Sequence, residues 1–153
     1  MNVALGADHR GSATILRLAE RLRNAGHTVT LDGSTDGSTC DYPEAAAAVA
    51  KRVASGEAER GVLVCGTGIG MSIAANKVPS VLAAVVHNEL TSQLARSHNE
   101  ANVVCVSADL LGMQLIERIV DTFLSTEPEG GRHSRRVDRI RALECQASPQ
   151  PEG

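Results

Sequence analysis

Two hydrophobic rhythms alternate along the chain. Short apolar or β-rich runs occur at Val3 to Ala7, Thr28 to Leu31, Gly61 to Cys65, Leu82 to Val86 and Asn102 to Val106. Between them apolar residues return at helical spacing. Ile15, Leu18, Ala19 and Leu22 follow i, i+3, i+4, i+7, and Leu115, Ile116, Ile119, Val120 and Phe123 trace a second stripe. Gly26 is a natural stop for the first of these helices, and Pro43 suits position N1 of an Ala-rich helix running to about Ser55. Further helices are predicted near Ser72 to Lys77, from Glu89 to Arg96, and over Arg132 to Glu144 with Val137 and Ile140 inward. Continuous strands alternating with helices predict an α/β fold with a five-stranded parallel sheet covered on both faces, ending in a C-terminal helix. One domain over residues 1–145 is expected. Gln146 to Gly153 is polar and proline-rich, the composition of a disordered tail.

Sheets of this kind bind ligands at the carboxyl ends of their strands. Asp8-His9, Cys65 with the loop after it, and His87 all follow predicted strands, so the pattern itself selects candidates. The strongest is Cys65-Gly66-Thr67-Gly68-Ile69-Gly70-Met71-Ser72. Alternate glycines between strand and helix let backbone approach a ligand and turn successive N–H groups into one space. The following helix start adds positive potential, which suits an oxyanion or a phosphate. A dinucleotide fingerprint would need its third glycine where Met71 stands, and a P-loop would need a GK[ST] ending; neither fits. Cys65, at a strand end facing that helix start, is placed to act as a thiolate. Cys105, inside the run NVVCV, reads instead as a small core residue.

Composition narrows the ligand. Trp is absent and Tyr and Phe occur once each, which excludes base-stacking nucleic-acid modules and aromatic sugar platforms. The net charge of −3 offers no global attraction to nucleic acid or anionic membranes. No apolar run approaches a bilayer span, and the start MNVALGADHRG lacks the features of a signal peptide, so a cytoplasmic protein with reduced thiols is expected. The four cysteines and five histidines show no metal-ligand spacing, and no metal or other cofactor is called for. The cluster Arg132, His133, Arg135, Arg136, Arg139, Arg141 is basic; Arg132 and Arg136 stand i, i+4 and could grip one phosphate together.

Several pieces, in this order, resemble the type-B ribose-5-phosphate isomerases and the related galactose-6-phosphate isomerase subunits. They are Gly6-Ala7-Asp8-His9, Asp41-Tyr42-Pro43, Cys65 to Gly70, Ala74-Ala75-Asn76-Lys77, His98-Asn99, Asn102-Val103 and Gly131 to Arg136, spread over residues 1–145. The resemblance implies a single-domain, Rossmann-like three-layer sandwich and a metal-independent aldose–ketose isomerase. It also implies a homodimer or tetramer with sites at the subunit boundary, acting on a small sugar phosphate.

By the same resemblance Cys65 is the base between C1 and C2, Thr67 assists at the substrate oxygens, and His98 opens the furanose ring. Asp8, Tyr42 and Asn99 hold hydroxyls; His9, Arg132 and Arg136 bind phosphate; and Gly66, Gly68 and Gly70 supply backbone donors. Ribose 5-phosphate is the expected substrate, with other sugar phosphates, or a non-catalytic partner subunit, as alternatives. Many members carry Arg where Asp109 and Leu82 stand. An acid at 109 would repel phosphate if it faced the site.

Overall fold

The computed structural model describes residues 1–147. Five strands, β1 (Asn2–Ala7), β2 (Thr28–Gly33), β3 (Arg60–Cys65), β4 (Ala83–Val85) and β5 (Val103–Ser107), form one sheet in the order β2-β1-β3-β5-β4. All neighbouring pairs are parallel. The helices are α1 (Ser12–Asn24), α2 (Tyr42–Ala54), α3 (Ile69–Ala75), α4 (Glu89–Ser97), α5 (Met113–Ser125) and α6 (Arg132–Ala147). The α/β three-layer expectation is met.

Side-chain alternation along the strands divides the core in two. Val3, Leu5, Val62, Val64, Val104 and Val106 pack under α1, α4 and α5, with Ile15, Leu18, Ile116, Ile119 and Phe123 completing that layer. Ala4, Leu63, Cys65, Val103 and Cys105 pack under α2 and α3 against Ala46, Val49 and Met71. The predicted apolar stripes of α1 and α5 are the buried faces of those helices. Phe123 is fully buried, with the Arg96 guanidinium 5.8 Å from its ring centroid. Its truncation to Ala would cost about 3–5 kcal/mol.

Three details depart from the expectation. Helix α3 begins at Ile69 rather than near Ser72, because Gly68 adopts a left-handed φ of 78° and turns the chain straight from strand into helix. Ile140 is exposed while Val137 is fully buried, so α6 is anchored on a narrower stripe than the sequence suggested. Helix α6 also continues to Ala147, so Gln146 and Ala147 are helical; the rest of the expected tail lies outside the described residues. Among the described residues no helix is long and apolar enough to cross a membrane.

Two motifs prove to be scaffold. The Asn76 side chain bonds both backbone groups of Ala83, at 2.8 and 2.9 Å, and so ties α3 to β4. Asn102 accepts from Leu82 N and donates to Ser80 O, each at 2.8 Å, fixing the entry into β4.

Candidate active site

The chain order reverses between β1 and β3: β1 leads outward to β2, and the chain then crosses to the other side of β1. A crevice at the carboxyl ends follows from that reversal. Asp8 and His9 leave β1 there, and Cys65 to Gly70 leaves β3. Asp8 is buried, and its Oδ1 accepts the N–H groups of Arg10 at 2.9 Å and Gly11 at 3.2 Å, which fixes the turn into α1.

Cys65 is 5% exposed, and its Sγ accepts the Gly68 N–H at 3.1 Å. Thr67 is exposed and its Oγ1 accepts the Ile69 N–H at 3.3 Å. The Tyr42 ring lies against the loop, for a Cβ on Gly70 would come within 2.7 Å of two of its carbons. A side chain at 70 would have to displace the Tyr42 ring, whereas Gly68 is required by conformation. Cys105 lies in the same apolar layer, where burial and the neighbouring Cys65 push its thiol far above its ordinary pKa. It is inert packing, as its sequence context suggested.

The remaining site candidates are elsewhere. Helix α4 runs back from the end of β4 to the beginning of β5, so His98 and Asn99 lie at the amino edge of the sheet, opposite Cys65. The segment before α6 and α6 itself are tied to the same corner: Glu129 N donates to Ser97 O, and Ser134 Oγ and Arg141 donate to Glu100. Arg132 and Arg136, both exposed, begin α6 beside it. The structure thus gathers Asp8, His9, Tyr42, Cys65, Gly66, Thr67, Gly68 and Gly70 at one edge, and His98, Asn99, Arg132 and Arg136 at the other. One chain does not unite them.

At the amino edge the rings of His98 and His133 stack with centroids 4.0 Å apart and planes 11° from parallel. Glu129 reaches both, at 3.4 and 3.6 Å. Burial, then the neighbouring His98 and Arg132, hold His133 below its ordinary pKa against the pull of Glu129. Its neutral Nε2 faces the Arg132 Nε–H at 3.4 Å. Donor atoms of His98, Glu129 and His133 all fall within 4.8 Å of one another. Near-parallel rings cannot aim their in-plane lone pairs at one ion, so this trio as arranged is not a metal centre.

Arg10 and Glu129 were not among the expected site residues. Glu129 stands i, i+4 from His133, a local spacing, but only the fold brings it to His98 as well. Asp109, read as a potential repulsion, is exposed and pairs with Arg10, with Arg10 Nη2 2.7 Å from its Oδ2.

An α/β fold with a thiol, a glycine loop and backbone donors at its switch point is the architecture of a small-molecule site. Comparison with known proteins specifies which. The family pattern described as Ribose/Galactose Isomerase matches residues 3–140. Ribose-5-phosphate isomerase B of Escherichia coli is 40% identical over 142 residues, which cover 93% of this chain and 95% of that protein. The galactose-6-phosphate isomerase subunit LacB of Clostridium acetobutylicum is 37% identical over 137 residues, 90% of this chain and 79% of the relative. The solved structure of ribose-5-phosphate isomerase B from Clostridium thermocellum superposes with a TM-score of 0.95 at 40% identity, covering 97% of this chain and all (100%) of the other. That from Mycoplasma genitalium with bound ribulose-5-phosphate gives 0.91 at 39%, covering 95% and 97%. The chain belongs to the ribose/galactose isomerase family and is an enzyme of the aldose–ketose isomerase class.

Proposed function

We propose that the protein interconverts D-ribose 5-phosphate and D-ribulose 5-phosphate through an enediolate, with Cys65 as the base, in a site completed by a second copy of the chain. Cys65 takes the proton from the carbon beside the carbonyl and returns it to the neighbouring carbon. The N–H groups of the 66–70 loop not already donated to Cys65 Sγ or Thr67 Oγ1 receive the charge that develops on the oxygens; one donor of this kind is worth roughly 10²–10³ in rate. Thr67 assists the transfer of the hydroxyl proton from O2 to O1. His98, Asn99, Arg132 and Arg136 come from the partner. His98 moves the proton that opens the furanose ring, and the arginines grip the phosphate with His9. Asp8, Tyr42 and Asn99 hold hydroxyls.

The observation that carries this reading is the Cys65 Sγ accepting the Gly68 N–H at 3.1 Å, a thiol at a strand end inside a cradle of donors. The separation of the two edges supports the dimer, since a Cys65 site without His98, Arg132 and Arg136 is half a site. Exposed apolar residues lie beside both halves. Ile69 and Ile73, i and i+4 on α3, are 53% and 58% exposed, and Leu143 on α6 is 60% exposed. Such patches are the usual mark of a surface that another chain covers.

The test is an isomerisation assay across ribose 5-, allose 6-, galactose 6- and erythrose 4-phosphates. Highest kcat/KM on ribose 5-phosphate is expected. Preference for another sugar would keep the chemistry and change the substrate, and inactivity on all four would overturn the reading.

A further inference from the structure

The proposed mechanism uses neither Arg10 nor Asp109, yet together they touch the glycine loop. In the sheet order β1 and β5 flank β3, so a side chain leaving β1 can meet one leaving β5 only across the tip of β3. Arg10 and Asp109 do this, with Arg10 Nε and Nη2 at 2.8 and 2.7 Å from Asp109 Oδ2. Gly66 lies beneath the bridge: a Cβ there would stand 2.9 Å from Asp109 Oδ2 and 3.2 Å from Arg10 Cδ. Both feet of the bridge are anchored. Arg10 N is fixed by Asp8, and Asp109 N donates to Gly66 O at 3.2 Å.

Arg10 keeps donor capacity beyond this bridge. A guanidinium carries five N–H donors. Nε and one N–H of Nη2 go to Asp109, and among the described residues the others have no partner. The Arg10 side chain is 55% exposed. An oriented guanidinium with an open edge, next to His9 and over a loop of backbone donors, suits a phosphate. Strand alternation says which end of a substrate it meets. Cys65 faces the α2 and α3 layer, whereas Arg10 and Asp109 leave the sheet on the side of α1 and α5, which they directly precede. A group across the strand tip from the base is placed for the far end of a sugar phosphate, not for the reacting carbons.

We propose that Arg10, held over Gly66 by Asp109, binds the substrate phosphate from the same chain that carries Cys65. Asp109 is then a positioning residue rather than a repulsive one. The proposal rests on the sugar-phosphate reading above, but its test does not depend on turnover.

Binding of inorganic phosphate is measured by calorimetry on the whole protein and on Arg10→Gln and Asp109→Asn, alongside KM and kcat for ribose 5-phosphate. Arg10→Gln is expected to weaken phosphate and raise KM by about tenfold or more, the worth of a charge-assisted contact, with kcat within about threefold. Asp109→Asn, which removes the charge but keeps the shape, should move the same two quantities by a smaller factor. The thermal midpoint should hardly move, since an exposed ion pair adds little to stability. Unchanged phosphate affinity and KM in Arg10→Gln would overturn the proposal, as would a fall in kcat alone or an absence of phosphate binding by the unaltered protein. Phosphate binding that depends on Arg10 in a protein inactive on every sugar phosphate would keep this inference and sink the isomerase reading.

Discussion

The two edges of the sheet hold their functional groups in different ways. At the carboxyl edge the chemistry is attached to backbone. Asp8 is clamped in a turn by two N–H groups, Cys65 is the last residue of a central strand, and Gly68 closes onto its sulfur. At the amino edge it sits on long side chains at helix ends: His98 caps α4, and Arg132 and Arg136 start α6, outside the sheet altogether. The first arrangement suits an atom that must meet a carbon within a fraction of an ångström. The second suits a charged, freely rotating group such as phosphate. The carboxyl edge lacks His98, Arg132 and Arg136, the amino edge lacks Cys65 and its loop, and that separation is the physical argument for a site shared between copies.

The sharpest way to break the comparison is to disable the rigid edge. Cys65→Ala should lower kcat by about 10³-fold or more, the upper range for a proton-transfer group, while sugar-phosphate binding stays within a few-fold. Cys105→Ala, in the same layer, should leave the chemistry intact, so a comparable loss there would point to packing rather than proton transfer. At the adjustable edge, Arg136→Ala should raise KM for the sugar phosphate by about tenfold with a much smaller change in kcat. An unaffected KM would move the phosphate site elsewhere.

The smallest effect concerns stability. His133 has a folded pKa below its unfolded value of about 6.5, so below that pH the unfolded chain binds the proton more readily, and stability falls as pH drops through about 6.5. Replacing His133 with Gln should flatten that decline. Urea midpoints at about pH 7.5 and about pH 5.5 for the two proteins measure it, and equal slopes would remove His133 as the cause.

Most of the fold was legible because it follows from periodicity. The five strand runs and the stripes of α1 and α5 lie where alternation and helical spacing put them. Boundaries were missed where geometry outranks pattern: the left-handed Gly68 starts α3 three residues early, and Ile140 is exposed although it falls on an apolar spacing. The carboxyl edge was readable too, since strand ends and glycine loops are local signals. The amino edge was legible only in part. His98, just before β5, falls at the opposite end of the sheet from Cys65 by the parallel β-α-β order itself, but nothing in the chain order tells that Glu129 reaches both stacked histidines, because that depends on the docking of α6. Arg10 was overlooked for the same reason. Its partner is 99 positions away, and only the order β1-β3-β5 brings the two together.

The central claim is that Cys65 of one chain works with His98 of another, and subunit mixing tests it most directly. Cys65→Ala and His98→Asn proteins, each nearly inactive alone, are unfolded together and refolded. A random mixture of dimers should recover about a quarter of the unaltered activity, because half of the dimers are mixed and each has one intact site of two. A mixture no more active than its two components would contradict the claim and return the whole reaction to a single chain.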